Sequence, residues 1–227
     1  MNKKKLKKIL ELHGKWLRSD EDGVRANLRG CDLRGCNLIG SDLRESNFLG
    51  SNLLGSNFFG SDLSESNLIG CNLIGCNLRG CNLRESDLRE SDLRESDLSG
   101  CNLWGCDLSG CDLSGVEYNE YTSFFVLQCP EQGSFIAWKK SQGKIVKLRV
   151  TENALRSSAT TRKCRCSEAE VLEIDDGKLQ EICSDCDESF VYKVGEIVKV
   201  DDFDTDRWNE CSSGMHFFIT RQEAENY

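Results

Sequence analysis

Residues 26–45 read ANLRG CDLRG CNLIG SDLRE, and the same five-residue pattern runs without a gap to CDLSG at 111–115. Ninety residues make eighteen units. The third position is Leu in every unit except those of Phe48 and Phe58; the first is Ala, Ser or Cys, the second Asn or Asp, the fifth Gly or Glu. An α-helix does not fit. Five residues advance a helix by about 500°, so successive leucines would spiral over every face. Thirteen fifth positions are Gly, and each would cost a helix about 1 kcal/mol relative to Ala. A flat strand fails as well, because its period of two sends each leucine of an odd repeat to the opposite face from the last. The remaining solution turns a corner at every unit. Positions one and three then share an inward face, position two points outward, and positions four and five make the turn, where Gly tolerates unusual dihedrals.

This pattern resembles the pentapeptide-repeat family, with its A(D/N)LXX consensus. The resemblance covers 26–115. It implies an all-β fold, a right-handed quadrilateral β-helix with four units per coil. Eighteen units would then make four and a half coils, a rod roughly 22 Å tall at about 4.8 Å per strand spacing.

Outward from the repeat, residues 2–17 read as an amphipathic helix carrying Leu6, Ile9, Leu10 and Leu12, with Trp16 and Leu17 one turn on. An open coil end exposes unpaired strand edges, so 1–25 is expected to be an N-terminal capping helix. A basic arm for an acidic surface is the other reading. The repeat decays through VEYNE, giving a β-helix over 26–120 and a cap or linker at 121–128. Beyond it SFIAWKK, KIVKLRV, EVLEI, FVYKV, EIVKV and MHFFI read as strands, so 129–227 is expected to be a small β-rich domain. A last helix should start at Thr220, with Glu223 completing a capping box. RSSATTRKCRCS (156–167), YKVGEIVKVDDFD (192–204) and RWNECSSGMHFFITRQEAENY (207–227) resemble a domain found behind pentapeptide repeats in phage and large-virus proteins. That likeness implies a viral origin and no known chemistry.

The net charge is −9. Such acidity argues against direct nucleic-acid or membrane-surface binding and suits a basic partner. Charge is uneven: 1–25 carries a net +4, 26–115 a net −6 and 116–227 a net −7. No secretory h-region and no long apolar run appear, so the fourteen cysteines read as reduced thiols in the cytoplasm, the host's if the chain is phage-encoded.

Three groups of residues are candidate sites. A twenty-residue offset stacks Glu45, Glu65 and Glu85 on one corner, with Asp42 and Asp62 on the same side; Asp87, Glu90, Asp92, Glu95 and Asp97 follow on later coils. Arg44, Arg84, Arg89 and Arg94 partly neutralise them. This ladder is either a solvated face or a protein-binding rod that imitates DNA. Outward fourth positions hold Ile39, Leu49, Leu54, Phe59, Ile69 and Ile74, an apolar band that reads as a docking surface for the C-terminal domain folded back, for a second copy in a homodimer or for a foreign partner. Cys164-x-Cys166 and Cys183-x-x-Cys186 have the spacing of a four-thiolate Zn²⁺ site, although a CxC half is unusual. Otherwise they are small residues at strand ends, and no other cofactor is expected. The eight inward repeat cysteines are explained by small volume. His216 lies in the apolar MHFFI and reads as a packed histidine, and His13 has no evident partner.

No catalytic constellation emerges, so the expected role is binding. The resemblance implies a DNA-mimicking inhibitor, since some pentapeptide-repeat proteins act so. Its target would be a DNA-acting host protein, such as a defence nuclease or a topoisomerase. The alternative is a structural adaptor docking through the apolar band.

Overall fold

The computed structural model describes residues 1–227, which divide into two compact units, Met1–Val126 and Leu127–Tyr227. In the first, each second-position Asn or Asp forms a parallel bridge to the residue twenty positions on, as in Asn27–Asn47–Asn67–Asp87–Asp107. Four units therefore complete one coil. Leu28 N–H donates to Asn47 O at 2.7 Å, and Asn47 N–H donates back to Ala26 O at 3.0 Å, so each coil is stitched to the next in strand fashion. The corner between one unit and the next is closed by Cys31 N–H to Leu28 O at 3.1 Å. The residue in position five has positive φ throughout, 62° at Gly30 and 59° at Glu45. Third-position Leu and Phe fill the interior, all buried from Leu28 to Leu108. Leu113, on the incomplete last coil, is only half-buried.

The first position does more than save space. Ser56 Oγ donates to Leu33 O at 2.7 Å, and Cys76 Sγ donates to Leu53 O at 3.0 Å. Ser and Cys interchange there because each brings a donor to a carbonyl on the preceding coil.

The helix α1, Lys3–Leu17, starts on Asn2, whose side chain accepts the Lys5 N–H at 2.8 Å. It buries Leu6 and His13. After it the chain doubles back closely: a Cβ at Gly23 would overlap the Trp16 backbone. Val24 N–H donates to Leu12 O at 3.0 Å, which feeds the chain into the first repeat at Ala26. At the far end the register slips by one residue, Asn102 bridging Ser123, as the five-residue pattern lapses.

The second unit contains nine strands: β1 Phe135–Ser141, β2 Lys144–Val150, β3 Arg156–Ser158, β4 Cys164–Cys166, β5 Glu168–Ile174, β6 Glu181–Cys183, β7 Val191–Lys193, β8 Ile197–Lys199 and β9 Met215–Phe217. A final helix, α2, covers Arg221–Asn226. The strands form antiparallel sheets ordered β1-β2-β5-β8, β3-β4-β9 and β6-β7. Six of these strands fall on the apolar runs of the sequence. β3, β4 and β6 do not, being short and partly polar. Thr220 and Glu223 form the capping box of α2. The core gathers Ala137, Val146, Leu148, Val171, Ile174, Tyr192, Met215 and Phe217 with Cys129, Cys164 and Cys166.

Candidate partner-binding surface

The acidic ladder divides into neutralised and free charges. Positions two and four of a unit both face outward, so an Arg at position four meets the Asp two residues before it. Arg44 grips Asp42 with two hydrogen bonds of 2.8 and 2.7 Å. Arg89 and Arg94 grip Asp87 and Asp92 in the same way. The Arg hydrogen bonds hold the carboxyls of Asp42 and Asp92 below the usual range. At Asp87 burial opposes the shift, yet Arg89 still carries it downward. Asp97 lies 3.6 Å from Arg79, Glu85 lies 2.8 Å from Arg84, and Asp62 accepts from Ser64 Oγ at 2.7 Å.

The glutamates at position five are different. Glu45, Glu65 and Glu85 stand one coil apart on a single corner, with φ of 59°, 57° and 55°. Glu90 and Glu95, φ 59° and 58°, hold the next two corners after Glu85. The five thus form a column joined to a row. Of these only Glu85 shares an ion pair. A left-handed backbone costs an ordinary L-residue roughly 1–2 kcal/mol, and the other thirteen units avoid that cost with Gly. The sequence rule that position five is Gly or Glu therefore marks five places where charge is kept against backbone preference. At the foot of the column the Glu85 stem lies against the next coil, where a Cβ on Gly105 would sit 3.2 Å from Glu85 Cγ.

The apolar band occupies the other three sides. Ile39, Leu54 and Phe59 are exposed by 51%, 39% and 50%, whereas Leu49, Ile69 and Ile74 are half-buried between neighbouring coils. Residues 46–60 and 66–78 contain no charged residue. The band is therefore a neutral field of aliphatic and Asn side chains. It lies between Arg29 and Arg34 on the first coil and Arg79, Arg89 and Arg94 on later ones. On the fourth side Trp104 is covered by the Arg84 guanidinium, 4.8 Å from the ring centroid.

The cysteine pairs of the second unit do not converge. Alternation along β4 places Cys164 and Cys166 in the buried core, where Cys164 meets Cys129, while Cys183 is half-buried and Cys186 exposed. No group of three or more His, Cys, Asp or Glu side chains is placed to hold a metal ion. His216 is half-buried, and its Nε2 lies 2.9 Å from Glu210 O. Burial pushes its pKa down to about 4. His13, partnerless in the sequence, is fully buried between the cap and the first two coils. Its partners lie 13 and 33 residues away, which no local pattern reveals. No helix is long and apolar enough to cross a membrane.

Comparison with known proteins agrees with this division. The pentapeptide-repeat model matches residues 26–64, 61–100 and 76–115, and a family of unknown function, DUF5758, matches residues 125–224. No curated protein matches the chain. Among solved structures, a pentapeptide repeat protein from the Arabidopsis thaliana thylakoid lumen is 28% identical. The match covers 42% of this chain and 70% of that one, with a TM-score of 0.34. Rfr23 from the cyanobacterium Cyanothece 51142 is 25% identical over 42% of this chain and 88% of its own, at a TM-score of 0.22. QnrB1, a plasmid-mediated fluoroquinolone resistance protein, is 23% identical over 43% of this chain and 65% of its own, at 0.20. Residues 26–115 of this chain thus match the model of pentapeptide repeats, and the unit that follows is similar to a family of unknown function.

Proposed function

We propose that the repeat unit is a binding module whose glutamate column and row occupy the basic groove of a DNA-acting protein, inhibiting it by imitating the charge of DNA. One observation carries the reading. Glu45, Glu65, Glu85, Glu90 and Glu95 keep carboxylates at left-handed corners where Gly serves the fold elsewhere, and backbone strain of this kind is more often retained for function than for stability. The Asp ladder contributes less, because its members are largely paired with Arg on the same surface. Adjacent column glutamates, on coils about 4.8 Å apart, repel one another in the free protein. A groove lined with Lys or Arg relieves that repulsion on binding.

The test is capture from a lysate on immobilised protein, wild type beside a triple Glu45→Gln, Glu65→Gln, Glu85→Gln variant. The expected partner is displaced by duplex DNA and by about 1 M salt, since exposed charge pairs are screened, and is lost on the triple variant. A partner held equally by the variant and indifferent to DNA and salt would refute charge mimicry.

The neutral band favours a second reading, an adaptor that docks a partner by apolar contact. Ile39, Leu54 and Phe59 are the exposed members of that band. A partner lost on Leu54→Asp with Phe59→Asp, but retained by the glutamate triple, would favour it.

A further inference from the structure

The second unit holds a cavity of 550 Å³ that none of the comparisons explains. Its volume falls within the range of small-molecule sites. The β6–β7 hairpin supplies one wall and the segment before β9 another. Inside it the Lys139 ammonium lies over the Tyr192 ring, 5.7 Å from the centroid. It has no ion-pair partner: Asp185, whose charge acts on it most, is engaged by the Gln142 N–H at 2.7 Å. Lys199, which also lines the cavity, is by contrast paired with Glu168 at 2.8 Å. Lys139 is half-buried, and burial lowers its pKa. Phe190 and Tyr192, ring centroids 5.3 Å apart, add an aromatic wall. The acids of the lining, Asp201 and Asp202 among them, are exposed at its edge, with Asp202 accepting from Ser213 Oγ at 2.6 Å.

The lining thus offers one half-buried ammonium without an ion-pair partner and, beside it, exposed carboxylates. A phosphate or dicarboxylate would meet repulsion at the edge, and a simple amine would leave Lys139 unpaired. A molecule carrying both charges on an apolar body satisfies the whole lining. We propose that this cavity binds a free amino acid with an apolar side chain, its carboxylate on Lys139, its ammonium toward Asp201 and Asp202, and its side chain against Phe190 and Tyr192. The site belongs to the second unit alone and stands or falls independently of the repeat surface.

The experiment is calorimetric titration of the full chain with L-phenylalanine and L-leucine, beside 3-phenylpropionate, which lacks the ammonium, and phenethylamine, which lacks the carboxylate. The amino acids should bind, and removal of either charge should weaken binding roughly tenfold or more. Lys139→Met should weaken L-phenylalanine by a similar factor. If Lys139→Met does not fold, Asp201→Asn with Asp202→Asn provides the reading, with the same loss expected. Absence of binding by both amino acids, 3-phenylpropionate or phenethylamine binding as tightly as L-phenylalanine, or a folded variant with wild-type affinity would each overturn the assignment.

Discussion

His13 Nδ1 accepts the backbone N–H of Ala26 at 3.2 Å, so the cap helix holds the first residue of the first repeat through a neutral imidazole. Its Nε2, 3.2 Å from Ser46 Oγ, reaches the second coil as the donor that this tautomer requires. Burial, partly opposed by the charge of Asp42, lowers the His13 pKa below 6.5. The unfolded chain therefore binds this proton more readily than the folded one. The cap's contribution is complete above about pH 6.5 and declines as the pH falls below it. Urea unfolding of the repeat unit at pH 7.5 and pH 5 should show this loss, and His13→Gln should flatten it. An unchanged pH dependence in His13→Gln would remove the imidazole from the account.

Replacing the corner glutamates by Gly should separate stability from binding. The left-handed φ of Glu45, Glu65 and Glu90 suits Gly, and the gain of roughly 1 kcal/mol is offset by the greater freedom of Gly in the unfolded chain. Each single Glu→Gly change should therefore move stability by less than about 1 kcal/mol, while capture of a salt-sensitive partner disappears. A loss above about 2 kcal/mol per site, measured by denaturant melts, would show that the carboxylates hold the corners together.

The five buried repeat cysteines should be chemically silent. Cys71 and Cys76 are buried, and desolvation pushes their thiols up to about 11 and about 12. The thiolate is the reactive form, so these sites carry almost none at neutral pH. Cys186 and Cys211 are the exposed thiols. Ellman's reagent on native protein should find those two fast and Cys71, Cys76, Cys81, Cys101 and Cys106 only after denaturation. Cys76→Ser should cost little, because the hydroxyl can replace the Sγ donor to Leu53 O. Ser56→Ala should cost about 0.5–1.5 kcal/mol through the lost bond to Leu33 O. Rapid labelling of Cys76 in the folded state would contradict the packing.

Most of the repeat could be read from the sequence because each position has one duty. Leu and Phe fill, Ser and Cys fill and donate, Asn and Asp bridge, Gly and Glu turn. A period of five written eighteen times leaves little else. The division of the acids was harder to see, since it depends on which Asp has an Arg two residues later and which Glu stands at a corner. The second unit was legible only where strands were long and apolar, as in β1, β2 and β5. In β4 the sequence Cys-Arg-Cys suggested half of a metal knuckle. Strand alternation instead buries both thiols beside Cys129 and leaves Arg165 between them, pointing the other way.

Arg165 gives the strongest prediction for the second unit. It is 1% exposed, yet three of its hydrogen bonds reach carbonyls of one segment. Nη1 donates to Asp204 O at 3.1 Å and to Ser213 O at 2.7 Å, and Nη2 donates to Asp206 O at 2.8 Å. The guanidinium also lies over Phe203, 5.2 Å from the ring. A planar fork of five donors can serve three carbonyls at once, which a Lys ammonium on a shorter reach cannot. Arg165→Met leaves those carbonyls without their charged donor and should cost at least about 3 kcal/mol. Arg165→Lys should recover only part of it. The segment from Asp204 to Ser213 should loosen first, since its anchor is gone while the β1-β2-β5-β8 sheet remains paired. Limited proteolysis read by mass spectrometry should place the earliest cuts of Arg165→Met between Phe203 and Gly214, with the wild type resistant there. First cuts inside β1 or β2, or a variant as resistant as the wild type, would show that this segment is held by something other than Arg165.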